Sequence, residues 1–385
     1  MDVETLEEFR QAVRRFARER LVPLEAAVAD NDEVPPEIVT EMKQMGLFGL
    51  SIPETYGGLG LTISEEVELV MELTWASAAF RSILGINLGV GSQGIVVDGT
   101  EQQKQEWLPR IASGEVIASF CLTEPDSGSD SAAMRTKAIR VGDHYVINGS
   151  KRYITNAPYA GLFTVMARTS AEALPKNGHV TAFLVPADTP GLTVGARDKK
   201  MGQAGAWSAD VHLEDVRVPA SAIVGGVEGR GFSTAMKVLD RGRIHIASVC
   251  VGQAERILHE ALSYALERNQ FGRPIADFQL IQAMLADSRA ELYAARCMMK
   301  ETAARFDRGE RVSEEAACSK MFSSEMVGRL ADRAVQIHGG AGYMRDSAVE
   351  RFYRDVRLFR IYEGTTQIQQ LVIARQMIAK ARSAV

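Results

Sequence analysis

The chain has 385 residues, 46% of them hydrophobic and 24% charged, the composition of an ordinary globular protein long enough for two or three domains. A net charge of −5 and a pI near 5.8 give no global basic excess, which argues against nucleic acid or an anionic membrane surface as the main partner and leaves room for a local basic site for a phosphorylated ligand. Cys121, Cys250, Cys297 and Cys318 form no CxxC pair and the six histidines no HExxH, so no metal site or redox dithiol is expected, and reduced thiols in a cytoplasm are.

The first residues carry Asp2, Glu4, Glu7 and Glu8 where a signal peptide would have a basic head, so none is expected. Thr5 and Glu8 read as a capping box, with Leu6, Phe9, Val13 and Phe16 at helical spacing behind it. Pro35-Pro36 opens a second helix that ends near Gly46, and Ile52 to Gly60 is a loop. From Glu65 one long helix runs past Trp75 toward Ile86, too apolar all round for a surface helix, so it belongs in the interior. The uncharged run Ser82 to Val97 is too short to span a membrane. Within it Gly89, Gly91 and Gly94 spell GVGSQG, a formal match to the dinucleotide fingerprint and the only basis for an NAD enzyme. No strand precedes it and Asp98-Gly99 arrives before a helix can form, so close packing through glycine is the better account.

Near Val116 the chain becomes β-rich. DHYVINGSKRYITN, Asp143 to Asn156, carries an Asn148-Gly149 turn signal between β-prone arms and predicts a hairpin there. Val180 to Val185, the turn Thr189-Pro190-Gly191 and Asp210 to Val218 continue a β-domain of about 110 residues. Glycine-rich GGVEGRG, Gly225 to Gly231, marks a boundary. Helices then cover Phe232 to Arg268, Phe278 to Asp307, Ser313 to Ile337 and Thr365 to Ala381, and their surplus apolar surface suggests a bundle that meets other subunits. The division is 1–117 helical, 118–229 β and 230–385 helical, an α+β multidomain chain with a four-helix-bundle-like C-terminal part.

Two stretches carry candidate chemistry. CLTEPDSGSD, Cys121 to Asp130, sets Thr123, Ser127 and Ser129 around Gly128, a loop able to hold a phosphate or to be an ordinary turn. FRIYEGTTQIQQL, Phe359 to Leu371, passes from Glu363 through Gly364 into a helix start at Thr365-Thr366. The helix dipole there lowers the carboxyl pKa, and burial among Phe359, Ile361 and Tyr362 raises it. Glu363 is then either a general base or a first-turn acid answering the dipole.

These stretches, with LDRGRI, ERNQFGRPI and QIHGGAGYMRDSAVERFYRD (Gln336 to Asp355, with Arg351 and Asp355 correctly spaced), resemble the acyl-CoA dehydrogenase family from end to end. The resemblance implies the family's helical, β and helical fold with FAD as cofactor. It places Glu363 at the catalytic-base position of the short- and medium-chain branch. Other branches carry the base just before the arginine corresponding to Arg243, where this chain has Gly242. Leu122, Thr123, Ser129, Tyr153 and Thr155 are implied at the flavin ring and phosphates, although many relatives have Trp in place of Tyr153; on spacing alone Tyr153 is equally a strand-core aromatic. Arg268, Gln270 and Phe271, with Gln279, Gln336, Gly339 and Gly340, are implied to reach the ADP half of a neighbouring subunit's cofactor, while Thr365 and Gln367 return to the local flavin. Ser129, Asp240, Arg243, Tyr362 and Gly364 are implied along the CoA thioester; the bland account of Asp240 and Arg243 is a helix-surface i,i+3 pair. Arg81, in AAFRSIL, either pairs with an acidic neighbour or faces the acyl pocket and selects a polar chain.

The implied reaction is α,β-dehydrogenation of an acyl-CoA, with Glu363 taking the α-proton, the β-hydrogen leaving as hydride to flavin, and electrons passing to an electron-transfer flavoprotein from a homotetramer built as a dimer of dimers. An acyl-CoA oxidase, a flavin-dependent eliminase or monooxygenase, and a non-catalytic helical scaffold are the alternatives.

Overall fold

The computed structural model describes residues 1–172 and 174–383. Its first helix, α1 (Val3–Phe16), is capped by Asp2, whose Oδ1 accepts from the Thr5 amide at 2.8 Å. The Thr5–Glu8 capping box is therefore not used, because an Asp just upstream already answers the same orphan amides. Helices α2 (Glu25–Asn31) and α3 (Pro36–Gln44) follow, the latter opened by Pro36 and left through Gly46 at φ 73°.

The apolar stretch from Glu65 is buried, but as two helices, α4 (Ile63–Leu73) and α5 (Ala78–Leu88). Short polar side chains make the break. Thr74 turns its hydroxyl back to Val70 O at 2.7 Å, and Ser77 caps α5 by accepting from Ala79 N. The GVGSQG run links α5 to α6 (Gln93–Asp98), so a short helix does form before Gly99 and α7 (Glu101–Ala112). A Cβ on Gly91 would meet Ile86 O at 2.7 Å and Ala118 Cβ at 2.8 Å, so glycine there permits close packing. Ala78–Asp98 is in fact long and apolar enough to cross a membrane, more than its charge-free run suggested, yet 61% of its most apolar window is buried inside the protein.

Strands β1 (Ala118–Cys121), β2 (Lys137–Val141), β3 (His144–Thr155), β4 (Leu162–Arg168), β5 (Val180–Pro186), β6 (Leu192–Arg197) and β7 (Ser208–Pro219) form one sheet in the order β1-β4-β2-β3-β7-β6, with β5 paired to β4. The hairpin expected at Asn148-Gly149 is absent. The chain reverses at Gly142-Asp143 instead, and β3 runs straight through Gly149 with a bulge. Asn148 is engaged across the sheet: its amide donates to Asp215 Oδ1 at 3.0 Å and its oxygen accepts from Asp215 N at 2.8 Å. A Cβ on Gly149 would lie 2.4 Å from Thr136 Oγ1, so this glycine serves a bulge, not a turn.

Beyond the sheet come α8 (Gly231–Glu267), the small hairpin β8 (Asn269–Gln270) and β9 (Arg273–Pro274), then α9 (Gln279–Asp307), α10 (Ser313–His338), α11 (Ala348–Val356) and α12 (Thr366–Ser383). α10 packs on α8, α9 and α12, while α4 docks against α8 and α9. The helix α11 was not anticipated; Val349, Phe352 and Val356 are its buried stripe at helical spacing.

Two buried carboxylates tie the three regions together. Glu25 Oε2 lies 3.2 Å from Arg351 Nη2 and 3.4 Å from Arg256 Nη2, and Oε1 accepts from Ser77 N at 2.8 Å. Asp355 accepts from the Gln203 amide, between β6 and β7, and from Ser77 Oγ at 3.4 Å. Burial pushes both carboxyls up against the pull of the arginines. Replacing Glu25 by Ala takes the carboxylate from the buried Arg351, while Arg256 keeps Glu260 at 2.6 Å, and the expected loss is about 3–5 kcal/mol, read as a lower urea midpoint; an unchanged midpoint would refute the role given to this junction.

Candidate active site

The chain enters α12 through a left-handed turn, Glu363 at φ 55° and Gly364 at φ 86°. Glycine adopts this freely; for Glu363 the strain is of order 1–3 kcal/mol. Thr365 Oγ1 then accepts from Ile368 N at 3.2 Å, the helix start its sequence position suggests. The Glu363 carboxylate stands just upstream of that helix end. Burial decides the competition and holds its carboxyl above the usual range, against the charges of Arg81, Arg243 and Lys320. The residue as a whole is half-buried, but Oε2 is shut off from solvent and has no hydrogen-bond partner among the described residues. An acceptor left without a donor costs stability, and it is what a base needs. A Cβ on Gly242 would lie 3.1 Å from that same Oε2. The two alternative base positions implied by the resemblance therefore converge on one point. Tyr362, beside it, stacks on Phe359 with ring centroids 5.9 Å apart.

Arg81 is 8% exposed and its partner is an imidazole, not an acid. Its Nε donates to His245 Nε2 at 2.9 Å, His245 Nδ1 donates to Glu66 Oε1 at 2.5 Å, and Glu66 Oε2 pairs with Arg241 Nη2 at 2.5 Å. Burial alone would raise the Glu66 carboxyl, yet Arg241 and His245 outweigh it and hold it at about 2. Burial, with Arg81 and Arg241, presses His245 down to about 4. A neutral ring thus separates Arg81 from Glu66. Arg241 answers Glu66, and the charge of Arg81 is left to act on Glu363. Gly85 makes room, since a Cβ there would sit 2.4 Å from Arg81 Cζ. Sequence reasoning missed His245 and Glu66; the one available signal was Arg241 and His245 at i,i+4 in an otherwise apolar helix.

The loop carrying Leu122, Thr123 and Ser129 follows β1. Lys151, fully buried on β3, donates to Glu124 Oε1 at 2.8 Å and to Leu122 O at 3.3 Å, while Glu124 also accepts from the Thr136 amide at 3.0 Å. CLTEPDSGSD and KRYIT are thereby joined by a buried ion pair. Tyr153 sits at a β3 bulge at φ 58° with its ring 61% exposed, so it is no strand-core aromatic. Thr155 is partly exposed at the end of β3, as are Leu122 and Thr123, and Ser129 is exposed. An open aromatic face beside hydroxyls and loop amides fits a planar, phosphate-bearing cofactor such as FAD.

Asp240 Oδ1 pairs with Arg243 Nη1 at 2.8 Å, and Asp240 Oδ2 accepts from Ser313 Oγ. The i,i+3 pair is therefore real, and it still leaves the buried Arg243 Nε without an acceptor. An apolar cleft between α6, α8 and the sheet, lined by Val90, Phe120, Met166, Val224 and Val238, runs along the same helix. Gln367 is exposed on the first turn of α12. Arg268, Gln270, Phe271 and Gln279 are exposed around the β8–β9 hairpin, and Gln336, Gly339 and Gly340 at the end of α10. Tyr264 stacks on His338 at 4.2 Å, which brings these two groups to one end of the bundle. Among the described residues no hydrogen bond joins them to Glu363 or Tyr153.

Profiles of the acyl-CoA dehydrogenase N-terminal, middle and C-terminal domains match residues 3–115, 119–216 and 229–378. The chain is 43% identical over 369 residues to a probable acyl-CoA dehydrogenase, YngJ, of Bacillus subtilis strain 168, covering 96% of this chain and 97% of that one. It is 38% identical over 372 residues to subunit CarC of the caffeyl-CoA reductase-Etf complex of Acetobacterium woodii, covering 96% and 97%. The structure of acyl-CoA dehydrogenase complexed with FAD from Bacillus anthracis matches with a TM-score of 0.93 at 33% identity, over 100% of this chain and 68% of that one.

Removing a cation that opposes burial at Glu363 raises its carboxyl pKa further. In Arg81→Met the Glu363 carboxyl is expected to ionise at higher pH, so a step that needs its ionised form weakens more at acid than at alkaline pH and the acid limb of kcat/KM moves to higher pH. A limb that stays in place would show that the Arg81 charge does not reach the base.

Proposed function

The chain belongs to the acyl-CoA dehydrogenase family, whose cofactor is FAD, and from that premise we propose that it converts an acyl-CoA thioester to its trans-2-enoyl-CoA. The observation that carries the reading is Glu363 Oε2, enclosed and without a donor at the mouth of α12. Glu363 takes the α-proton. FAD, when bound, supplies the acceptor for the β-hydrogen, which leaves as hydride. An aliphatic thioester is a weak carbon acid, so negative charge growing on its carbonyl oxygen needs a donor. The Glu363 N–H has no hydrogen-bond partner among the described residues and is available for that oxygen. Tyr362 and Gly364 flank the thioester, and Asp240, Arg243 and Ser129 serve the CoA arm alongside the apolar cleft. Enclosure of the base keeps water from the reacting carbons.

Leu122, Thr123, Ser129, Tyr153 and Thr155 hold the flavin ring and phosphates in this reading, with Thr365 and Gln367 at its far side. Arg268, Gln270, Phe271, Gln279, Gln336, Gly339 and Gly340 make no hydrogen bond to that site among the described residues. Their common exposure supports their reaching the ADP half of a cofactor in a neighbouring copy, where an arginine fork suits a pyrophosphate. Leu280 and Tyr343, 82% and 80% exposed, support a self-associating bundle and hence the homotetramer. The likeness to a subunit of an Etf complex supports an electron-transfer flavoprotein as electron acceptor. That relative is a reductase, which favours a second reading: the same residues run backwards, Glu363 protonating the α-carbon as a conjugated enoyl-CoA is reduced.

Anaerobic titration of the purified protein with straight-chain, branched and aryl acyl-CoAs should bleach the flavin with one class preferred. Glu363→Gln should keep flavin and thioester binding while losing about 10²–10⁴-fold in rate. A colourless protein points to the scaffold alternative, and a Gln variant that reduces its flavin at the parental rate sinks the proposal.

A further inference from the structure

Lys320, on α10, is fully buried, and its one hydrogen bond among the described residues runs from Nζ to the Gly364 carbonyl at 2.7 Å. An ammonium enclosed with a single neutral acceptor is a poor stabiliser, and an apolar side chain of similar volume would serve the core as well or better. Burial presses Lys320 down to about 8 against the charges of Cys250, Glu363 and Glu325, with Arg243 adding to the depression. The cost is borne at the residue next to the base. Gln369, also fully buried, acts on the same spot: its Nε2 donates to the carbonyls of both Glu363 and Gly364, each at 3.0 Å, while its Oε1 is left without a partner. Two buried donors from different helices therefore converge on two consecutive carbonyls, at the two consecutive residues with positive φ.

We propose that Lys320 is a positioning residue for the reaction: with Gln369 it clamps the Glu363–Gly364 carbonyls and so fixes the left-handed turn that sets where the Glu363 carboxylate stands. A glutamate at φ 55° keeps that conformation only while its surroundings over-determine it. With the ammonium gone, the Gly364 carbonyl keeps only its bond from Gln369, the turn loosens and the Glu363 Cα shifts with it. The carboxylate then no longer meets the thioester α-carbon, where a displacement of about 1 Å is worth on the order of 10²-fold in rate. Core stability does not require the lysine. The turn does.

The inference rests on Glu363 being the base, and the test separates the two. Lys320→Met is measured as holoenzyme for flavin content, thermal midpoint, kcat, KM and exchange of the acyl-CoA α-protons in D2O, beside the parent and Gln369→Leu. The expected result for Lys320→Met is full flavin content and an unchanged or higher midpoint. Its kcat per bound flavin falls about tenfold or more, KM stays within about threefold, and α-proton exchange falls in parallel. Gln369→Leu shows the same pattern, and the double variant loses less than the product of the single losses, because both groups hold one turn. Unchanged kcat per flavin in Lys320→Met, or a loss that only follows lost flavin or a lowered midpoint, overturns the proposal. If Lys320→Met does not fold, an unchanged kcat in Gln369→Leu overturns it and a lowered kcat at constant KM upholds it. A parent protein that exchanges no α-proton overturns the reading of Glu363 itself.

Discussion

A carboxylate that meets no donor among the described residues, yet is surrounded by positive charge, is the constraint on which the proposed chemistry depends. Burial alone would favour the protonated form of Glu363; a direct salt bridge would favour the ionised form and occupy the lone pair that accepts a proton. The fold avoids both by giving each nearby cation a partner elsewhere. Arg81 donates to His245, Arg243 pairs with Asp240, and Lys320 donates to the Gly364 carbonyl. Their charges act through space and none of their N–H groups reaches the carboxylate. Burial sets the direction of the Glu363 shift, and a field without contact tempers it.

Building that field needs elements far apart in the chain. Arg81 comes from α5, Arg243 from α8, Lys320 from α10 and the base from the turn before α12, and each has to be held to within a fraction of an ångström. Buried polar links supply the precision. Glu66 and His245 fasten α4 to α8, Glu25 and Asp355 fasten the first helices and the β-domain to α8 and α11, and Lys151 with Glu124 fastens the β1 loop to β3. Such networks add little stability over apolar packing, but a shifted register leaves charges unpaired, so they define one arrangement. The apolar clusters provide the bulk of the folding energy; these links decide which helix faces which.

Local rules read well where the chemistry is local. The helix start at Thr365, the close packing at Gly91 and the long apolar helices follow from neighbours a few residues away, and all are found. They misled wherever a residue with a local preference was recruited by a distant partner. Asn148 would make a turn, but Asp215, 67 positions on, engages it across the sheet. Thr74 and Ser77 lie inside an unbroken apolar pattern and still split it into two helices. Around the base the difficulty is greatest: Arg81 and His245 are 164 positions apart, and Glu66 and His245 are 179. No periodicity or spacing encodes such pairs. The resemblance to a known family supplied the architecture and a candidate base, and it was silent on the relay behind Arg81.

Backbone strain marks the same places without any appeal to family. Eight non-glycine residues among those described have positive φ: Asp32, Tyr153, Asn156, Asn177, Gln203, Asp215, Phe271 and Glu363. Asn and Asp tolerate this conformation through local hydrogen bonds, which leaves four that do not. Gln203 lies in the junction with Asp355, where its amide and side chain are both tied down. Phe271 and Gly272 both take positive φ at the tip of the β8–β9 hairpin, where Phe271 also meets Phe278 edge-on at 5.9 Å, and Tyr153 lies at a β3 bulge with the Arg152 guanidinium 4.8 Å above its ring; the two residues are 93% and 61% exposed. Glu363 spends strain to hold a carboxylate where nothing donates to it. Strain that secures no contact within the protein is strain directed at something outside it. The proposed function gives Glu363 a thioester to meet, and Tyr153 and Phe271 a cofactor. Three of the four outliers fall among the proposed site residues, while Gln203, tied down at the junction, is an unfavourable angle held for structure alone.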